Sequence, residues 1–83
     1  MTDLSNNSKS AEAIQAWLVS TLALLLEVQP HELNVNEPLS HSGLNSVEAI
    51  TVSGDLSDWL GYEVSPTIVW DYPTVAAIAA YLA

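Results

Sequence analysis

The sequence predicts an all-α domain: a four-helix bundle of three main helices and one short helix, with a long loop after the first. Three observations predict it. At 83 residues the chain is sized for one small domain. Apolar side chains recur with the helical period in separate segments. Proline and glycine punctuate the segment edges, and the turn signals around Val64 and Ile68-Val69 leave no room for a sheet.

The first helix is expected over Ser10 to Gln29. Ile14, Trp17, Leu18, Thr21, Leu25 and Val28 share one face, with Leu22, Leu24 and Leu26 widening it. Glu12 in the first turn suits the helix dipole, and Pro30 is expected to end the helix. The connection from Gln29 to Leu44 is longer than most helix–helix links. Leu33, Val35 and Leu39 would pin it to the core.

The second helix is expected over Asn45 to Leu60 and carries two stripes. Ala49, Val52, Ser53, Leu56, Trp59 and Leu60 form the core stripe. Val47, Ile50 and Gly54 lie roughly 100–160° away from Ala49 and cannot enter the same core. Gly61 supplies the stop. Ser65-Pro66 reads as N-cap and first position of a short helix through Trp70. Pro73-Thr74 opens the last helix, with Val75, Ile78, Ala79 and Leu82 on its inner face.

Charge narrows the function. One basic residue, Lys9, stands against ten acidic ones, for a net charge of −9. That excludes electrostatic nucleic-acid binding and argues against an anionic membrane surface. Partners should present basic surfaces. With 49% apolar residues the chain is too hydrophobic for a disordered acidic tail. The absence of cysteine excludes disulfides, a thiol nucleophile and Cys-based metal sites. Residues 1–9 read as a flexible polar leader and 10–83 as the folded domain, with no signal peptide or spanning segment. The chain reads as a cytoplasmic monomer.

The catalytic inventory is poor. His31 and His41 lie in a polar loop without a serine–acid partnership, and no metal or phosphate-loop motif is present. Asp55, Asp58 and Glu63 read as solvated charges. Trp17, Trp59 and Trp70 read as core or core-edge packing, and Tyr62, Tyr72 and Tyr81 as boundary residues with wet hydroxyls. The chain is not expected to be an enzyme.

Gly43-Leu44-Asn45-Ser46-Val47-Glu48 stands out. Taken alone it is a helix start, with Asn45 as N-cap and Glu48 completing a capping box. Yet Ser46 stands at a helix mouth that favours a bound phosphate, beside exposed Val47 and Ile50. Gly54, one turn on, thins the same face.

Gly43-Leu44-Asn45-Ser46-Val47 resembles the Gly-Leu-Asp-Ser-Leu signature of acyl carrier proteins. Pro66-Thr67-Ile68-Val69-Trp70-Asp71-Tyr72-Pro73-Thr74 is similar to the polyketide-synthase carrier pattern Pro-Thr-Leu-Val-Phe-Asp-His-Pro-Thr, with Leu56, Gly61 and Val64 at the family's spacing between them. Ser53 to Gly61 resembles carriers that work beside fatty-acyl-AMP ligases.

The resemblance implies that Ser46 accepts 4′-phosphopantetheine from coenzyme A through a phosphopantetheinyl transferase, and that the arm's thiol carries acyl groups as thioesters. The working thiol is then imported. Val47, Ile50, Gly54 and Asp58 would form the face that partners read, with Asn45, Glu48 and Asp55 flanking it. Ile68 and Val69 would lie near the arm. Implied partners are the transferase, an acyl-AMP ligase or acyltransferase, and downstream synthase or tailoring enzymes with basic docking surfaces. Two departures stand out: Asn45 replaces the family Asp, and Ser42 replaces a residue that is commonly apolar. The alternatives are an unmodified acidic interaction module and, within carriers, a peptidyl carrier.

Overall fold

The computed structural model describes residues 9–83. The expected leader therefore lies outside the described residues except for Lys9. That side chain is half-buried, and its Nζ sits 5.0 Å from the centre of the Trp59 ring.

Helix α1 spans Ala11–Leu26. Ser10 caps it, its hydroxyl accepting the Ala13 N–H at 3.1 Å. Ile14, Leu18, Leu22 and Ala23 are buried. The end differs from expectation. Glu27 turns left-handed with φ of 59°, and the N–H groups of Glu27 and Val28 both reach the Ala23 carbonyl. The helix therefore closes on its own C-terminal turn, ahead of Pro30. Leu24 is a second correction. It is 83% exposed rather than part of the apolar face, because it stands about 200° around the helix from Leu22.

Two short 3₁₀ turns, Pro30–Glu32 and Leu39–Ser42, shape the long connection. Leu39 is buried, and Leu33 and Val35 pack against the core. Backbone bonds tie the connection to the last helix. The Leu39 N–H donates to Pro73 at 2.8 Å, and the Ala76 N–H donates to Val35 at 2.9 Å. The second bond satisfies a donor that a helix start otherwise leaves free.

Helix α2 spans Ser46–Leu60, with Ala49, Val52, Ser53, Leu56 and Leu60 buried. The buried Ser53 hydroxyl is satisfied by donating to the Ile50 carbonyl at 2.7 Å. Trp59 is half-buried and stacks on Trp17 with ring centres 5.3 Å apart. Gly61 ends the helix at φ of 86°, a conformation that disfavours a side chain even though a Cβ there would meet nothing within 4 Å. Ser57 then fastens the following loop, donating to the Ser53 carbonyl and accepting the Val64 N–H at 2.8 Å.

Helix α3 is shorter than expected, Ile68–Asp71, with Thr67 at its N-cap position. Ser65 does not open it. The Ser65 hydroxyl accepts the Thr67 N–H at 3.2 Å, a local turn that competes with helix. Helix α4 spans Val75–Leu82, capped by Thr74, whose hydroxyl accepts the Ala77 N–H at 3.0 Å. Val75, Ile78 and Ala79 are buried and Leu82 is half-buried. Helix α1 packs along α4, while α2 touches both α1 and α3. Tyr72 and Tyr81 stack with ring centres 4.2 Å apart. The Tyr62 hydroxyl donates to the Leu82 carbonyl at 3.2 Å. Among the described residues there is no strand.

Candidate functional site

The site begins at Gly43, whose φ of 90° ends the second 3₁₀ turn and swings the chain toward α2. Ser42 does not leave the loop loose, for its hydroxyl donates to the Leu39 carbonyl at 2.6 Å. Leu44 packs against the core. These two anchors fix where α2 starts.

The start of α2 is a complete capping box. Asn45 Oδ1 accepts the Glu48 N–H at 2.8 Å, and Glu48 Oε1 accepts the Asn45 N–H at 3.1 Å. Asn45 thus supplies the geometry expected of the family Asp without its charge. Glu48 is committed to this cap and half-buried, so it is not a free rim charge.

Ser46 is the first residue of the helix and is exposed. Its hydroxyl, and the N–H groups of Ser46 and Val47, have no intramolecular partner among the described residues. A reactive oxygen thus stands beside two unused donors at the positive end of a 15-residue helix. That arrangement fits a phosphodiester on Ser46 Oγ, and Glu48 is held back in the cap.

Beyond Ser46, Val47 is 73% and Ile50 52% exposed, with Gly54, Asp55 and Asp58 also at the surface. By helix geometry Val47, Ile50, Gly54 and Asp58 fall within about 80° of one another, with Asp55 at the edge. Ile68 and Val69 stand apart. Both are buried, so neither belongs to an outward face. Val69 lines a cleft beside the start of α2, whereas Ile68 lines a separate cavity with Tyr62, Tyr72 and Tyr81.

The cleft has a volume of about 150 Å³ and is lined by Leu39, Ser40, Leu44, Ala49, Val69, Trp70 and Pro73. Trp70 is 54% exposed, which corrects its expected place in or at the core. With Ile68 and Val69 turned inward on a four-residue helix, the next side chain must point out. That rotation was the signal available in the sequence. A somewhat larger cavity, about 180 Å³, lies between the end of α1 and the first loop. No residue from Gly43 to Ile50 lines it, so it is not adjacent to the exposed serine.

A capped helix mouth presenting a free serine on a small helical bundle defines a carrier rather than a catalyst. Residues 16–82 match the family described as phosphopantetheine attachment site, and the chain belongs to that family. It is a non-catalytic carrier protein whose cofactor is covalent 4′-phosphopantetheine. It is 40% identical over 77 residues to a component of the phenolphthiocerol/phthiocerol polyketide synthase of Mycobacterium tuberculosis, covering 92% of this chain and 4% of that protein. This chain therefore corresponds to one small part of that polypeptide. The structure is similar to a free-standing peptidyl carrier protein from Acinetobacter baumannii, with TM-score 0.84 and 36% identity over 88% of this chain and 91% of that one. It is also similar to Asl1650, an acyl carrier protein from Anabaena sp. PCC 7120 described as having a variant phosphopantetheinylation-site sequence. There the TM-score is 0.81 at 38% identity, covering 88% of this chain and 83% of that one. The all-helical carrier bundle expected from the sequence is the observed fold. No helix among the described residues is long and apolar enough to cross a membrane.

Proposed function

We propose that residues 10–83 form the carrier domain, that Ser46 is its attachment residue, and that the arm holds acyl intermediates of polyketide or hybrid polyketide/nonribosomal-peptide assembly. The observation that carries the assignment is the unpartnered Ser46 hydroxyl beside two unpartnered N–H groups at a fully capped helix start. The Ser46 oxygen bonds to the phosphorus bearing the pantetheine of coenzyme A. The bond to the adenosine-bearing phosphate breaks, and the serine proton passes to a base of the transferase.

Val47, Ile50 and Gly54 form the apolar part of the docking face, and Asp55 and Asp58 its charged edge, matched to basic enzyme surfaces. An acyl-AMP ligase or acyltransferase loads the thiol, and downstream synthase or tailoring enzymes unload it. The proposed compartment is the cytoplasm. Intact mass after incubation with coenzyme A and a broad-specificity transferase tests the assignment. The chain should gain one phosphopantetheine, and Ser46→Ala should gain none. No gain in the wild type, or a gain in the variant, overturns it.

A peptidyl cargo is the second reading, favoured by the likeness to the free-standing peptidyl carrier. Competition between acyl-AMP ligases and amino-acid-activating enzymes for the same holo protein separates the two.

A further inference from the structure

We propose that Trp70 is a positioning residue for the pantetheine arm, forming one wall of the cleft beside α2 in which the segment of the arm nearest the phosphate lies. The proposal rests on Ser46 being the attachment residue. By helix geometry Ser46 lies about 60° from Ala49, which lines the cleft, and about 40° on the other side from exposed Ile50. A group on Ser46 therefore has two courses, into the cleft or out across the docking face.

The cleft's chemistry favours one occupant. Its lining carries no ionisable side chain, and Ser40 supplies its one side-chain hydroxyl. Everything else in the lining is apolar, and Trp70 leaves more than half its surface unpacked. Beyond its phosphate, the arm begins with a carbon bearing two methyl groups and continues as a neutral amide chain. A branched apolar segment followed by amides matches an apolar cleft with one hydroxyl. A charged group would lose its hydration there without compensation.

Size limits the occupant further. An apolar cavity of about 150 Å³ takes up a molecule as large as benzene. The cleft, at about 150 Å³, has room for the dimethyl segment of the arm or for a cargo of roughly six carbons. A long acyl chain cannot be enclosed there. Trp70 thus holds the near part of the arm and leaves the thioester end outside, where partner enzymes reach it.

The test uses the full chain and coenzyme A labelled with ¹³C in the two methyl groups. After transfer, intact mass reports how completely the arm is attached, so failure of the Ser46 assignment shows as no mass gain. With attachment complete, both methyl resonances should shift away from their positions in free coenzyme A, because an indole ring above them alters their local field. In Trp70→Ala they should return to the free positions. In Trp70→Leu, which keeps apolar bulk in case the alanine variant folds poorly, the ring-dependent shift should also vanish while methyl relaxation stays slower than in free coenzyme A. Methyl shifts equal to free coenzyme A in the fully loaded wild type would overturn the proposal. So would shifts unchanged by either substitution.

Discussion

Asn45 separates two properties that an aspartate would combine, capping and charge. Its Oδ1 holds the Glu48 N–H at 2.8 Å, and an amide oxygen does this about as well as a carboxylate. Asn45→Ala should therefore lower stability by about 1 kcal/mol in urea titration. Asn45→Asp should leave the cap in place. What Asp restores is a negative charge beside Ser46, where a basic transferase docks. Modification of Asn45→Asp by such a transferase should be faster than that of the wild type, with the gain shrinking as salt rises. A rate gain insensitive to salt, or no modification of the wild type by any transferase while Asn45→Asp is modified, would show that the Asn alters the site itself rather than its charge. Glu48 tempers this expectation only slightly, since its carboxylate is fixed in the cap at 3.1 Å from the Asn45 nitrogen and is the same in both variants.

At the level of elements, α2 divides its surface between stability and docking, and the division can be measured. Leu56 is fully buried and Ile50 is 52% exposed, on the same helix. Leu56→Ala should cost roughly 2–5 kcal/mol. Ile50→Ala should cost well under about 1 kcal/mol, as surface changes do, yet weaken loading or transfer of the acyl group. Equal losses of thermal stability would dissolve the distinction. This division is legible in the sequence because a helix of 15 residues repeats its period enough times to separate two stripes. The same logic fails where repetition is missing. Helix α3 has four residues, too few for a period to mark its start at Thr67 or the outward turn of Trp70. The end of α1 is hidden for a different reason: a left-handed Glu27 leaves no mark in the sequence, whereas Pro30 leaves a strong one. The bonds from Leu39 to Pro73 and from Ala76 to Val35 join backbone to backbone, so side-chain identity cannot announce them. Of the site, the serine and its capping box are readable from spacing alone. The cleft is not, because it gathers residues from the first loop, α2, α3 and the turn that follows.

Across the whole molecule, the net charge of −9 acts on folding and on docking in opposite directions. From Ser46 to Ala83 there are five acidic side chains and no basic one, and Lys9, the single basic residue, is drawn to the Trp59 ring. The carboxylates therefore mostly repel one another. The molecule measures 41 × 25 × 19 Å. At about 0.01 M salt the screening length is roughly 30 Å, longer than two of those dimensions, so nearly every carboxylate feels the rest. At about 1 M it is roughly 3 Å, and the repulsion is confined to immediate neighbours. Folding brings these charges together, so screening should favour the folded state. Attraction to a basic transferase is screened by the same ions and should weaken. Raising sodium chloride from about 0.01 to 0.5 M should therefore raise Tm while lowering kcat/KM for modification by a basic transferase. A gain of about 1 kcal/mol would appear as a rise of roughly 4–8 °C in a domain of this size. The two measurements must move in opposite directions on the same protein. A Tm that falls with salt would mean that the acidic surface is compensated within the fold. A modification rate indifferent to salt would mean that the docking face is recognised through Val47 and Ile50 and not through its charge.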